Sequence, residues 1–125
     1  MHLIIGGRYM GKKNYALKIY GSFENITDLS TESPEKIKSG LIINIHDGVK
    51  ILLEGNIDPL KFFADRIDTL RHSVIIGDEI CGGVVPVEAF ARKWRDETGR
   101  LYQFLADESE IVDRIFAGLP LRLKG

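Results

Sequence analysis

Short apolar runs alternate with amphipathic stretches along this chain. Leu3 to Ile5 is an apolar run stopped by Gly6-Gly7, the pattern of a strand buried on both faces of a parallel sheet. Beyond the glycines, Tyr15, Ala16, Ile19 and Tyr20 recur at helical spacing, and Gly21 supplies a stop. Phe23 to Ile26 reads as a weak second strand. Thr27 to Gly40 is polar, contains Pro34 and lacks an apolar period, so it reads as a surface loop. Leu41 to Ile45 is a stronger strand that ends at the turn-like pair Asp47-Gly48, and Val49 to Leu53 reads as a strand beside it.

Asp58-Pro59 is a helix start: the carboxylate accepts from free backbone N–H groups, and proline sits where a missing N–H costs nothing. Leu60, Phe63, Ile67 and Leu70 then share one face. Ser73 to Gly77 is another buried strand, followed by the connection Cys81-Gly82-Gly83-Val84-Val85-Pro86. From Val87 to about Asp107 the period is helical, with Phe90, Trp94, Leu101 and Leu105 facing inward. Gly99 inside that helix costs about 1 kcal/mol relative to alanine. Ile111 to Ala117 is the last strand and ends at Gly118-Leu119-Pro120. The alternation predicts an α/β fold, with a mainly parallel sheet flanked by helices.

A chain of 125 residues fits one domain spanning positions 1–125. Its 17 basic residues balance 18 acidic ones, so a broad basic face for nucleic acid is not expected. The single cysteine, Cys81, cannot form an internal disulfide, and with three scattered histidines it does not make a zinc cluster. These features predict a reduced, cytoplasmic setting. The first apolar run is far too short for a membrane span.

The candidate chemistry begins at the first turn. Gly6-Gly7-Arg8-Tyr9-Met10-Gly11-Lys12-Lys13 fits the GxxxxGK core of a phosphate-binding loop, directly after a strand and opening a helix. A glycine-rich loop can wrap backbone N–H groups around a polyphosphate, and a helix N-terminus adds donors and a favourable dipole. Lys12 would reach the β and γ phosphates. The full pattern continues with Ser or Thr, whose hydroxyl ligates Mg²⁺, but here Lys13 follows. Glu79, just past a buried strand at the end of the sheet where ligands bind, is a candidate for handling a proton or a metal-bound water. Among the remaining charges, Glu88 with Arg92 and Asp96 with Arg100 have the spacing of helix-surface pairs.

Three segments carry a resemblance: EICGGVVP from Glu79, ARKWRDETGRLYQFLA in the long helix, and AGLPLRLK up to Lys124. They are similar to the NEVG-x-G-[IV]-[VI]-P, A-R-x-[FW]-R-D-x-[AT]-G-R-x-N-Q and G-[LI]-P-x-x-[LI]-K segments of the adenosylcobinamide kinase / adenosylcobinamide-phosphate guanylyltransferase family. GGRYMGK resembles that family's GGARSGKS loop. The resemblance implies a P-loop NTPase fold related to the RecA type, commonly trimeric. It also implies a cofactor pattern of GTP or ATP, a corrinoid partner (adenosylcobinamide), and GMP transfer through a guanylylated histidine. It places Gly6, Gly11 and Lys12 on phosphates, Glu79 beside the site, and Pro86, Arg92, Arg95, Asp96, Gly99, Arg100 and Gln103 on the long helix and its approach.

Four departures bear on activity. Lys13 replaces the metal-binding hydroxyl, and Asn44 replaces the acidic residue that helps hold Mg²⁺. The segment in which the family keeps its guanylylated histidine has no histidine here, and the chain is shorter than typical members. His46 falls outside that segment and reads as solvating the Asp47-Gly48 turn, while His2 and His72 border strands without a local carboxylate pattern. No metal-ligand set is expected, and chemistry that depends on Mg²⁺ is expected to be weakened.

Overall fold

The first apolar run becomes the strand around which the sheet is built. The computed structural model describes residues 1–80 and 88–125; the expected glycine-rich connection, with Pro86, and the expected helix start at Val87 lie outside the described residues. Strand β1 (His2–Gly6) pairs in parallel with β4 (Val74–Asp78) on one side and β5 (Ile111–Phe116) on the other. Strands β2 (Ile26–Asp28) and β3 (Leu41–Ile43) extend the sheet beyond β4, and β6 (Leu119–Lys124) closes the other edge. The order is β2-β3-β4-β1-β5-β6, parallel except for the β5–β6 hairpin.

Side chains alternate across a strand, so the sheet has two apolar faces, and both are covered. Leu3, Ile42 and Ile75 pack with α2 (Ile45–Glu54), α3 (Pro59–Ala64) and α5 (Ala89–Glu108) through Val49, Phe63, Leu101 and Leu105. On the opposite face, Ile4, Ile76 and Ile115 pack with Ala16 of α1 (Lys12–Tyr20). This is the expected α/β fold of the P-loop type, with a mostly parallel sheet between helices.

Several expected elements change identity. Val49 to Leu53 is helical rather than a strand. Its apolar residues continue from Ile45 at spacings of four, seven and eight, so one helix face buries Ile45, Val49, Leu52 and Leu53. Asp47-Gly48 is therefore the first turn of α2 and not a hairpin turn. The helix expected after Pro59 breaks into α3 and α4 (Ile67–Arg71), although Asp58 caps it as read, accepting from Leu60 N–H at 3.1 Å. The expected pair of Asp96 with Arg100 takes other partners: Arg95 meets Asp96, and Arg100 meets Glu97, both at 3.0 Å.

The segment read as a surface loop also contributes to the core. Thr27 and Asp28 belong to β2, and Leu29 is fully buried against α2. A Cβ at Gly48 would stand 2.8 Å from Leu29 Cδ1, so the glycine makes room for that leucine. Past Gly118 the chain forms β6, which was not expected; both turn residues, Ala117 (φ 50°) and Gly118 (φ 77°), have the positive φ a tight hairpin requires.

His2 has a carboxylate partner that is distant in sequence. Its Nε2 lies 2.7 Å from Asp113 Oδ2, and its Nδ1 lies 2.7 Å from the Tyr20 hydroxyl. Tyr15 donates to the same carboxylate at 2.9 Å, and Arg122 of β6 donates to Asp113 Oδ1 at 2.6 Å. Asp113 is completely buried, so these bonds replace the water it has lost.

Two outcomes follow. Leu29→Ala is expected to lower stability by roughly 2–5 kcal/mol, the cost of a core cavity, as measured by urea unfolding. Burial pushes His2 below its ordinary pKa of 6.5, and the hydrogen bond and charge of Asp113 offset this only in part. The unfolded chain therefore binds more protons as pH falls through 6.5, and stability present above that value is lost on acidification. The urea midpoint should fall between about pH 7 and pH 5, with a smaller slope in His2→Gln.

Candidate functional site

Parallel registry places the candidate residues at one end of the sheet. Gly6 stands opposite Asp78, so the glycine loop leaves β1 beside the end of β4. Crevices outside the carboxyl ends of parallel strands are where ligands bind in such sheets. Here a cleft of about 770 Å³ opens, lined by the loop and first turn of α1, the ends of β3 and β4, and Trp94 of α5.

The loop has the backbone that its sequence requires. Gly11, the residue before α1, is left-handed at φ 93°, and Tyr9 at φ 61° is almost wholly exposed at the loop tip. No side chain caps α1, which leaves its first N–H groups directed to the cleft end. The Lys12 side chain is buried and folds back, donating to the Gly7 carbonyl at 2.7 Å and pairing with Asp78 Oδ1 at 2.8 Å. The turn is pinned from outside as well, because Gly118 N–H donates to the Met10 carbonyl at 2.9 Å.

Arg8, Tyr9, Gly11, Lys12, Lys13 and Glu79 all line the cleft, whereas Gly6, Gly7 and Met10 shape the loop behind them. Glu79 is held by Arg114, with bonds of 2.6 and 3.0 Å to its two oxygens. Its backbone N–H donates to the Gly6 carbonyl at 2.9 Å.

Two residues of the site escaped the sequence reading. Asp78 faces Lys12, and its one signal was an acidic residue at the end of a buried strand next to Glu79. His46 does not solvate a turn; it is buried in the cleft wall, and its Nδ1 accepts from Asp78 N–H at 3.0 Å. That obligate donor leaves the imidazole proton on Nε2, which points toward Asp78 Oδ2 at 3.4 Å and Asp47 Oδ2 at 3.6 Å. Burial pushes His46 below its ordinary pKa of 6.5; the carboxylates of Asp47 and Asp78 oppose this, and Lys12 and Arg8 reinforce it. The Trp94 indole N–H donates to the His46 carbonyl at 2.7 Å, so α5 fixes the same corner. Tyr102 does likewise from the next turns, donating to the Asp78 carbonyl at 2.6 Å.

At positions 13 and 44, where the family pattern supplies magnesium ligands, the groups present do not fit the ion. Lys13 lines the cleft at the position where the loop pattern has a hydroxyl, and an ammonium cannot ligate a cation. The Asn44 amide nitrogen donates to Asp28 Oδ1 at 2.8 Å, and that oxygen also takes the Ser30 N–H at 2.9 Å and hydroxyl at 2.6 Å. Burial alone would raise the Asp28 pKa, but these bonds and the nearby Lys13 charge bring it below 3.8. Among the described residues, no three His, Cys, Asp or Glu side chains converge as a metal site.

Strand order, glycine loop and buried lysine define a P-loop type of α/β domain. Residues 57–123 match the family described as cobinamide kinase / cobinamide phosphate guanyltransferase, and the chain belongs to that family. The chain is also similar to the bifunctional adenosylcobalamin biosynthesis protein CobP of Pseudomonas aeruginosa, at 40% identity over 52 residues. That stretch is 42% of this chain and 30% of the relative's length, so the chain matches only a part of that protein. The glycine loop precedes the residues that the family match covers. No helix among the described residues is long and apolar enough to cross a membrane.

Trp94 is the only tryptophan, so its emission reports on this corner. An imidazolium quenches indole emission, and fluorescence is expected to fall on acidification with a midpoint below 6.5. The titration should flatten in His46→Gln.

Proposed function

We propose that this chain is a nucleotide-binding protein of cobalamin (vitamin B12) assembly that takes GTP or ATP on the Gly6 to Lys13 loop. Adenosylcobinamide is the partner substrate. The kinase and guanylyltransferase chemistry of the family is retained at most in part. The observation that carries this reading is the buried Lys12, held at the mouth of a glycine loop by a carbonyl and a carboxylate that a polyphosphate can replace. The family match and the likeness to CobP support the pathway.

In this reading residues 1–125 act as one nucleotide-binding domain in the cytoplasm, within a homo-oligomer that the family resemblance makes a trimer. Lys12 moves from Asp78 to phosphate, and Lys13, Arg8 and the loop N–H groups gather the remaining negative charge. Glu79 handles a proton at the phosphate end of the cleft.

A second reading, a catalytically inactive or regulatory homologue, is favoured by the chemistry of His46 and Lys13. With its proton on Nε2, His46 has no free lone pair facing the cleft, so it does not take over the role of the family's guanylylated histidine. Incubation with GTP labelled at the α-phosphate separates the two readings: a stable covalent adduct supports the transferase, and its absence, with no phosphate transfer to adenosylcobinamide, supports the inactive homologue.

The loop itself is tested by calorimetry with GTP and ATP. Lys12→Ala is expected to weaken binding by about tenfold to a hundredfold, the value of a charge-assisted hydrogen bond to phosphate. Equal affinity in the two proteins would remove the loop from the reading.

A further inference from the structure

We propose that the cleft takes its nucleoside triphosphate without a magnesium ion, with the Lys13 ammonium standing where the metal would. The inference rests on the nucleotide reading of the loop and names the form of the ligand. A metal-nucleotide complex is bound through groups that complete the cation's oxygen shell, whereas a free polyphosphate needs hydrogen-bond donors and positive charge. The two demands are opposite in sign, so the polarity of the lining decides between them.

The loop side of the lining presents cationic donors. Lys13 stands in the first turn of α1, exposed at the cleft wall, and Arg8 and Lys12 line the same space. Across the cleft, the left-handed backbone of Asn44 (φ 59°) ends β3, and its amide NH₂ is turned to Asp28. Asp28 lies outside the cleft lining, already satisfied by three donors. The cleft-lining carboxylates have partners as well: Asp78 with Lys12, Glu79 with Arg114 in a two-pronged pair, and Asp47 with the His46 Nε2–H at 3.6 Å. A divalent cation entering here would share the cleft with the Lys13 ammonium. A bare triphosphate meets Arg8 and Lys13, takes Lys12 over from Asp78, and faces the uncapped N-terminus of α1.

The arrangement also accounts for the coincidence of two substitutions. A serine at position 13 with a neutral Asn44 would leave a metal half-held, and a lysine at 13 facing an aspartate at 44 would be drawn off into an ion pair. Lys13 with Asn44 leaves the ammonium available to phosphate, apart from the longer-range pull of Asp28.

Isothermal titration with GTP and with ATP, each in excess EDTA and in excess Mg²⁺, tests this. The wild-type protein is expected to bind at least as tightly in EDTA as in magnesium. Lys13→Ser, on an exposed position whose thermal melt should match wild type, is expected to lose about tenfold in EDTA. The double change Lys13→Ser with Asn44→Asp is expected to bind more tightly in magnesium than in EDTA. Tightening of wild-type binding by magnesium of more than about twofold would overturn the inference while leaving the nucleotide reading intact, as would unchanged EDTA affinity in Lys13→Ser. Failure to bind either nucleotide in both conditions would overturn the nucleotide reading itself, and this inference with it.

Discussion

A buried ammonium must be paired, and the burial of Lys12 organises this end of the molecule. Leaving that charge unpaired in the protein interior would cost several kcal/mol, so the carbonyl of Gly7 and the carboxylate of Asp78 are held where they can meet it. Both partners belong to the sheet end: Gly7 follows β1, and Asp78 ends the strand paired to β1. The lysine thereby fixes the loop against β4, and the loop cannot open without finding another anion for its cation.

Around that pair the structure has assembled a shell of hydrogen bonds that hold β4 from the opposite layer. His46 reaches Asp78 from α2, while Trp94 and Tyr102 reach His46 and Asp78 from α5. The cleft is therefore positioned by elements on one face of the sheet and charged by α1 on the other. Its formal charges cancel in the free state, with Arg8, Lys12 and Lys13 against Asp47, Asp78 and Glu79. An anion that draws Lys12 away leaves Asp78 with the His46 Nε2–H, 3.4 Å from its Oδ2, as a neighbouring donor.

Much of this was legible in the sequence because the signals were local. The β1 run, its glycine stop, the Asp58-Pro59 helix start and the inward face of α5 each follow from period and capping within a few residues. What was missed depended on partners far along the chain. Leu29 sits in a polar stretch, and only the space left by Gly48 makes it a core residue. His2 gained its carboxylate from β5, more than a hundred positions away. Val49 to Leu53 is a short run of apolar residues that suits a strand or a helix equally until Ile45 is included. Within the site, the loop was visible as a motif, whereas Asp78 and His46 became neighbours only through the parallel registry of β1 and β4 and the start of α2.

The hairpin of β5 and β6 reaches into this chemistry from the far edge of the sheet. Its turn clasps the glycine loop, with Gly118 N–H on the Met10 carbonyl and Ala117 N–H 3.3 Å from the Met10 sulfur, while Arg122 ties its outer strand to the buried Asp113. The outer strand carries Leu119, Leu121 and Leu123 in the open, so anything that grips those leucines has a mechanical handle on the loop. Peeling the strand away would slacken the glycine loop, and bracing it would stiffen the loop, without either event touching the cleft.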